Sequence, residues 1–393
     1  MRRVLPGFIL VVFAASAATA LTPSELLTLI RNRMTGTLAQ FPNYTCRETI
    51  ERKVKFPKAP RFTTTDLLRL EVAYLDNRET FAWPGSPRFG DQSIGDLVPS
   101  GAIASGSFGS LARQVFSSVA PVFSFAGQSS INGKKEVEFQ FRVPLEKSAL
   151  EIRQGERSAV VPFHGFFSAD LYTGDVIAFE VDAEDIPREL EILETRQLME
   201  YARSRIADAD YLLPTSSELT ISDVRGDVHR NRTTFEDCHE YKGESTLTFT
   251  DVGDIPAATP PPDRPKGLPA GLQLHMKTAV PIQRGVTAIG DTVPAEITEA
   301  VHGPVDLPKG ALATLRVTRM ESERLGNSLS HIISFQLLSV ETGGREYDAA
   351  GILVHVSGTR HFVWSGDGRV VFNRQELLIR PGLTLTWRTT EPH

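Results

Sequence analysis

At 393 residues the chain is longer than one hydrophobic core usually organises, so a single small domain is excluded and about two domains are expected. Its 41% hydrophobic and 23% charged residues are ordinary for a globular protein and rule out a collagen-like, wholly disordered or multi-span membrane chain. A balance of 42 Lys+Arg against 48 Asp+Glu, net −6, argues against nucleic acid as partner, and two cysteines exclude both a disulfide-dense scaffold and a four-cysteine zinc module.

Residues 1–20 read as a secretory signal peptide: Arg2 and Arg3, an apolar stretch, then Ala18-Thr19-Ala20 before a cut at Leu21. The uncharged run of residues 4–20 contains Pro6 and Gly7 and falls short of the roughly 20 residues that span a bilayer. Cleavage removes two arginines and takes the net charge to −8. That excess lies before residue 268, because residues 268–393 carry equal numbers of basic and acidic side chains. The expected location is the periplasm or the extracellular space, with no transmembrane segment in the mature chain. In such an oxidising compartment Cys46 and Cys238 form a candidate disulfide, the alternative being two separate buried thiols.

A helix opens the mature chain. Thr22-Pro23-Ser24-Glu25 is a capping box with proline at the first helical position, and Leu26, Leu27, Ile30, Met34 and Leu38 recur at helical spacing. From residue 41 to 250 the period becomes two. Tyr44, Cys46, Glu48, Ile50 and Arg52 define the faces of a first strand, and further strands are expected over 67–75, 78–83, 134–143, 163–171, 175–183, 198–206, 217–224, 233–240 and 245–249. The spacing of Leu111, Ala112, Val115, Phe116 and Val119 predicts a second helix over 107–119. Five prolines in residues 254–267 mark a linker. Beyond it, two Pro-x-Gly turns, at Pro269–Gly271 and Pro308–Gly310, each feed an apolar strand, and a barrel is expected because closure removes exposed edges. Residues 321–330 read as a short polar turn, and 376–387 as a final strand interrupted by Pro381-Gly382.

The expected fold is therefore α+β, an N-terminal helix plus a large antiparallel curved sheet, followed by an all-β C-terminal barrel. Its parts are a signal peptide (1–20), a sheet domain (21–253), a linker (254–267), a barrel domain (268–357) and a C-terminal strand segment (358–393).

Catalytic signatures are scarce. No G-x-S-x-G elbow occurs, and the Ser105–Ser110 stretch lacks the context of one. The nine histidines never form a metal-ligand spacing, although His229 and His239 would meet if a hairpin lay between them. The acidic groups Asp182, Glu184, Asp185 and Asp208, Asp210 read as solvated strand ends. No catalytic, metal or cofactor-binding residue is assigned, and no cofactor is expected. Phe81, Trp83, Phe89, Phe108, Phe116, Phe123, Phe125, Phe139, Phe141, Phe163, Phe166 and Phe167 crowd the first part, which fits a large core or an apolar groove between sheet and helices.

The stretches 41–46, 68–85, 163–187 and 230–249 resemble exported proteins of an acidobacterial type, which implies export and brings no activity. The helix followed by a long antiparallel sheet is similar to LolA-type lipoprotein carriers and RseB-like sensor domains, by fold analogy. The order Leu268–Gly271, Gly290-Asp291, Leu307–Gly310 and Gly343-Gly344 resembles the β-barrel of the TrbI-like family of conjugation and type IV secretion components. That likeness implies a barrel making envelope protein contacts; the family's membrane-inserting hairpin has no counterpart at 321–330. The functional expectation is a non-catalytic envelope protein that binds a lipid, peptide or protein partner, its oligomeric state open. The alternatives are a secreted hydrolase with its site near residues 100–110 and a structural assembly component.

Overall fold

In the computed structural model, residues 21–241 and 267–391 are described, apart from 76–77, 87–88, 91–93, 99–108, 132, 156, 207, 326–327, 359–361, 365–367 and 374–375. The expected signal peptide, the strand at 245–249 and nearly all of the linker lie outside the described residues.

Helix α1 (Pro23–Ala39) begins as its sequence dictates. The Thr22 hydroxyl accepts from the Glu25 amide at 3.3 Å, and the Glu25 carboxylate accepts from the Thr22 amide at 2.8 Å. Its stripe of Leu26, Ile30, Met34 and Leu38 is buried.

The first part of the chain supplies β1 (Tyr44–Lys55), β2 (Thr63–Leu75), β3 (Arg78–Ala82), β4 (Val122–Ile131), β5 (Lys134–Val143), β6 (Leu150–Gln154), β7 (Arg157–Val161), β8 (Phe163–Asp170), β9 (Val176–Ala183), β10 (Ile192–Ile206), β11 (Ala209–Asp223) and β12 (Val228–Glu240). Ten of these form one antiparallel sheet in the order β3-β2-β1-β12-β11-β10-β9-β8-β5-β4, while β6 and β7 form a separate hairpin. Among the helical pieces, α2 (Ile94–Leu97) is one turn, and α3 (Ser110–Ala112) continues as a π-helical turn over Arg113–Ser117. The helix expected over 107–119 is thus confined, among the described residues, to 110–117. A wider π turn and then an extended Ser118 before Pro121 end it.

The second part supplies β13 (Gln273–Thr278), β14 (Ile282–Gln283), β15 (Thr292–Ile297), β16 (Leu312–Leu325), β17 (Ser328–Thr342), β18 (Arg345–Asp348), β19 (Ala350–Ser357), β20 (Phe362–Trp364), β21 (Arg369–Asn373), β22 (Leu378–Ile379) and β23 (Thr384–Thr390). Their pairings make a circuit. β17 pairs with β18, the chain passes through Ala349 into β19, and β19 pairs with β23, β23 with β13, β13 with β15, β15 with β16, and β16 again with β17. Its interior is filled by Leu274, Met276, Val293, Ala295, Leu315, Val317, Leu337, Val340, Val356, Leu385 and Trp387, each at most 1% exposed. The segment after Pro381-Gly382 therefore sits within this ring, between β13 and β19. Residues 321–330 are not a short turn: β16 runs to Leu325 and β17 starts at Ser328, so the polar stretch is a two-stranded ribbon.

The two sheets touch along β2. Beyond the short β3, the edge of β2 is taken by Ile289, whose carbonyl accepts from the Arg69 amide and whose amide donates to the Leu67 carbonyl, both at 2.8 Å. Gly290, at φ +102°, passes so close that a Cβ there would stand 2.0 Å from the Arg69 carbonyl oxygen. Arg69 pairs with Asp291, and Arg316 lies over the Trp83 ring while donating to the Pro84 carbonyl at 2.9 Å. One apolar cluster runs from Ile50, Leu68 and Leu70 into Ile289, Val293 and Leu315.

Candidate functional site

The inner face of the ten-stranded sheet is closed by its own chain. Cross-strand register aligns Phe139, Phe167, Phe179 and Met199 in one row across β5, β8, β9 and β10. Helix α1 covers this row, and the π turn drives Phe116 into it, 4.9 Å from the Phe167 ring and 5.6 Å from Phe179. Phe116, Phe139, Phe141, Phe163 and Phe167 are all buried core. Of the apolar groove expected between sheet and helices, this half is plugged. Phe81 belongs to the other cluster, Trp83 lies under Arg316, and Phe108 is outside the described residues.

The opposite face carries an open groove of about 920 Å³ across β4, β5, β8 and β9. Alternation explains its lining. In β5, Val137, Phe139, Phe141 and Val143 turn inward, so Gln140 and Arg142 face out; in β8, Phe163, Gly165 and Phe167 turn inward, leaving His164 and Phe166. β4 contributes Val122 and Ser124. The rim is built by Pro144 and Leu145 at the head of a 3₁₀ turn and by Pro162, whose carbonyl accepts from the Glu184 amide at 2.8 Å. Gly165 sets the floor, because a Cβ there would meet the Glu180 carbonyl oxygen at 1.9 Å and the Phe141 ring at 2.9 Å. The β4 wall is fastened to α1 through Arg31, which donates to the Ser118 carbonyl at 2.6 Å and lies over the Phe123 ring.

At its far end the groove is acidic. Glu184 accepts from the Arg142 guanidinium at 2.9 Å and lies 3.0 Å from His164 Nδ1; Asp182 accepts from Arg196 at 2.8 Å. Burial, reinforced by the Asp182 carboxylate, holds the neighbouring Glu180 carboxyl above the usual carboxylate range. Asp185, in the left-handed region at φ 48°, lines the groove and makes no ion pair among the described residues. Asp182 and Glu184, read from sequence as solvated strand ends, are ion-paired wall groups. The groove is unsuited to hydrolysis by a serine. Ser124 on β4 and His164 on β8 are two strands apart, roughly 10 Å, beyond the reach of a nucleophile for its base.

Other polar clusters are explained by structure. Cys46 and Cys238 are joined, with Cα atoms 4.1 Å apart, beside a register shift between β1 and β12. His229 and His239 stand on the same strand, β12, with no hairpin between them to bring them together. Asp223, Asp227 and His229 do converge at the β11–β12 turn. There, however, Asp223 already accepts the Arg225 guanidinium and the amides of Arg225 and Asp227. Arg52 and Asp66 form a buried bidentate pair at 2.6 and 2.5 Å. Glu48 on β1 is fully enclosed, with Oε2 lacking a hydrogen-bond partner; burial and the Glu79 charge push its carboxyl up to about 8. The alternation of β1 had placed Glu48 and Arg52 on the face of Tyr44, Cys46 and Ile50, which is the signal for both buried groups. Most of the Ser100–Ser110 stretch lies outside the described residues.

No family model matches the chain, and no curated protein sequence matches it. Among solved structures, a weak neighbour is an outer membrane lipoprotein-sorting protein domain from Vibrio parahaemolyticus, 10% identical, covering 56% of this chain and 94% of that one at a TM-score of 0.29. It is a domain of the kind the LolA analogy named, but a likeness at that score carries no argument. Among the described residues no helix is long and apolar enough to cross a membrane.

Proposed function

We propose that the chain is a non-catalytic exported protein of the cell envelope that binds a partner ligand in the outer groove of its ten-stranded sheet. The reading keeps the sheet unit 21–253 and the proline-rich 254–267, and extends the barrel unit from 268–357 to 268–393 because β23 pairs with β13 and β19, with this second unit bracing the first along β2. The acidobacterial and TrbI-like resemblances contribute export and a barrel that makes protein contacts.

The supporting observation is the groove itself: an open space of about 920 Å³ with Phe166, Leu145, Pro144 and Pro162 as apolar lining and Asp185 as an acid with no ion pair among the described residues. Apolar walls with a few placed polar groups are the usual make-up of ligand sites. The matching ligand chemistry is an apolar body carrying one cation, offered equally by an amine-bearing lipid and by a lysine- or arginine-bearing peptide.

Titration calorimetry with n-decylammonium and with a short leucine-lysine peptide separates the two sources, and decanoate serves as control. At least one cationic probe is expected to bind. Asp185→Asn should weaken it by about twofold to fivefold, the scale of an exposed charge contact. Phe166→Glu should abolish it. Equal binding of decanoate, or binding that ignores both substitutions, would remove the groove as the site.

A further inference from the structure

We infer that β4 is a self-association edge, and that a second copy of this chain pairs with it antiparallel across a two-fold axis, joining two ten-stranded sheets into one.

The two ends of the sheet are treated differently. At one end β3 is only five residues long and carries Arg78 and Glu79, while Leu67 and Arg69 on the β2 edge are bonded to Ile289. That end is blunted in the ways proteins use against unwanted pairing: short length, charge and cover. At the other end β4 runs for ten residues, and among the described residues nothing pairs with its outer side. Val122, Phe125 and Ile131 are 72%, 43% and 53% exposed on it. Its row of free amides and carbonyls is a template for another strand.

The charge pattern selects the occupant. Residues 114–133 contain no charged side chain, although nearly a quarter of the chain is charged. A foreign partner is steered and selected by opposite charges, so an interface for one gains from keeping them. A strand that meets its own copy about a two-fold has the reverse requirement. Every residue near the axis faces the same residue or its neighbour, and any charge there meets its like, which destabilises the pair. A neutral edge in a part of the chain that holds the whole acidic excess satisfies that condition.

In the antiparallel register that pairs all ten residues, Val122 lies opposite Ile131 of the partner subunit. Since Val122 and Ser124 line the groove, each groove is then walled on its open side by the second copy. The axis falls beside Ala126, which is exposed and lies at the register shift between Phe125 and Gly127.

Sedimentation equilibrium of the mature chain, with hydrogen exchange followed against concentration, tests this. A dimer is expected whose added protection is confined to 122–131. Ala126→Lys and Ala126→Glu, each placing like charges at the axis, should weaken it at least about tenfold, and mixing the two variants should restore it as a heterodimer. Unchanged circular dichroism of the variants separates lost pairing from lost folding. A wild-type monomer at 100 µM would overturn the inference. So would a dimer indifferent to both charges, or protection of 122–131 only on adding an extended valine-threonine peptide. Repeating the decylammonium titration on the monomeric Ala126→Lys variant reads the groove without the second copy, so the groove and the edge stand or fall separately.

Discussion

Glu48 shows what one misplaced charge does to the pH dependence of a fold. Its carboxyl is enclosed, Oε2 has no partner among the described residues, and the group is pushed up to about 8, so the folded chain holds a proton that the unfolded chain releases near the ordinary carboxylate value of 4.5. As pH rises between those two values unfolding is increasingly favoured; above the upper one both states are ionised and the loss stays constant. The linked loss is on the order of 5 kcal/mol, taking about 1.4 kcal/mol per pH unit. Glu48→Gln keeps the shape without the charge. Urea unfolding at pH 5, 7 and 9 should show the wild type weakening across this range and the variant holding nearly level. Equal slopes would place the Glu48 carboxylate in contact with a cation or with water. Arg52, four residues along the same strand, is the opposite case. Its charge is equally buried but matched by both oxygens of Asp66, so breaking the pair would leave an uncompensated ion.

At the scale of elements, legibility followed burial on one face. The strands with one covered side, such as β5, β8 and β9, announce themselves by alternation, and their boundaries fall within a residue or two of expectation. β4 does not, because an edge strand exposed on most of its length has no reason to alternate; its VFSFAGQSSI shows only an absence of charge. The β16–β17 ribbon was read as a turn for the related reason that polar residues there need no apolar face to pair. The expected helix over 107–119 had the right spacing for core contact, yet Leu111, Val115 and Phe116 reach the core from eight residues of mixed helical turns. The phenylalanine crowd was visible in the sequence, but whether it lined or plugged the sheet depended on Phe116 arriving from outside it.

The junction at Gly290 belongs to this scale as well. A strand edge can receive another backbone only if nothing stands between them, and at φ +102° with the Arg69 carbonyl 2.0 Å from a would-be Cβ, alanine cannot be accommodated without pushing the second sheet away. Gly290→Ala should cost about 3 kcal/mol through backbone strain and lost contact. The exchange of the Arg69 amide should rise more than that of amides inside either sheet. A variant with wild-type protection at Arg69 would mean that the contact between the sheets does not depend on that backbone approach.

For the whole molecule, the groove was the least legible part. Its residues come from positions 122–185 and share no motif; Asp182, Glu184 and Asp185 were noticed only as an acidic cluster, and Phe166 only as one aromatic among many. The cysteine pair was legible because compartment and count left few choices. A loop of 192 residues closed by one covalent bond removes on the order of 5 kcal/mol of freedom from the unfolded chain in the loop-entropy picture. Reduction, or Cys238→Ser, should lower the unfolding free energy by up to that amount in chemical denaturation while leaving the far-ultraviolet spectrum native. A loss below about 1 kcal/mol would mean that the unfolded chain is already held together by other contacts.

The placement of that bond also sets an order of events. β1 is among the first elements to be made, and one of its two neighbours, β2, follows at once. Its other neighbour, β12, is made last of the ten strands. Cys46 therefore waits as an unpaired thiol beside a half-finished edge until almost the entire sheet exists. For that interval the nascent chain offers any passing oxidant or foreign cysteine a reactive partner. Thiol adducts trapped on Cys46 in chains stopped before residue 238, and their loss in chains long enough to complete β12, are what this timing entails.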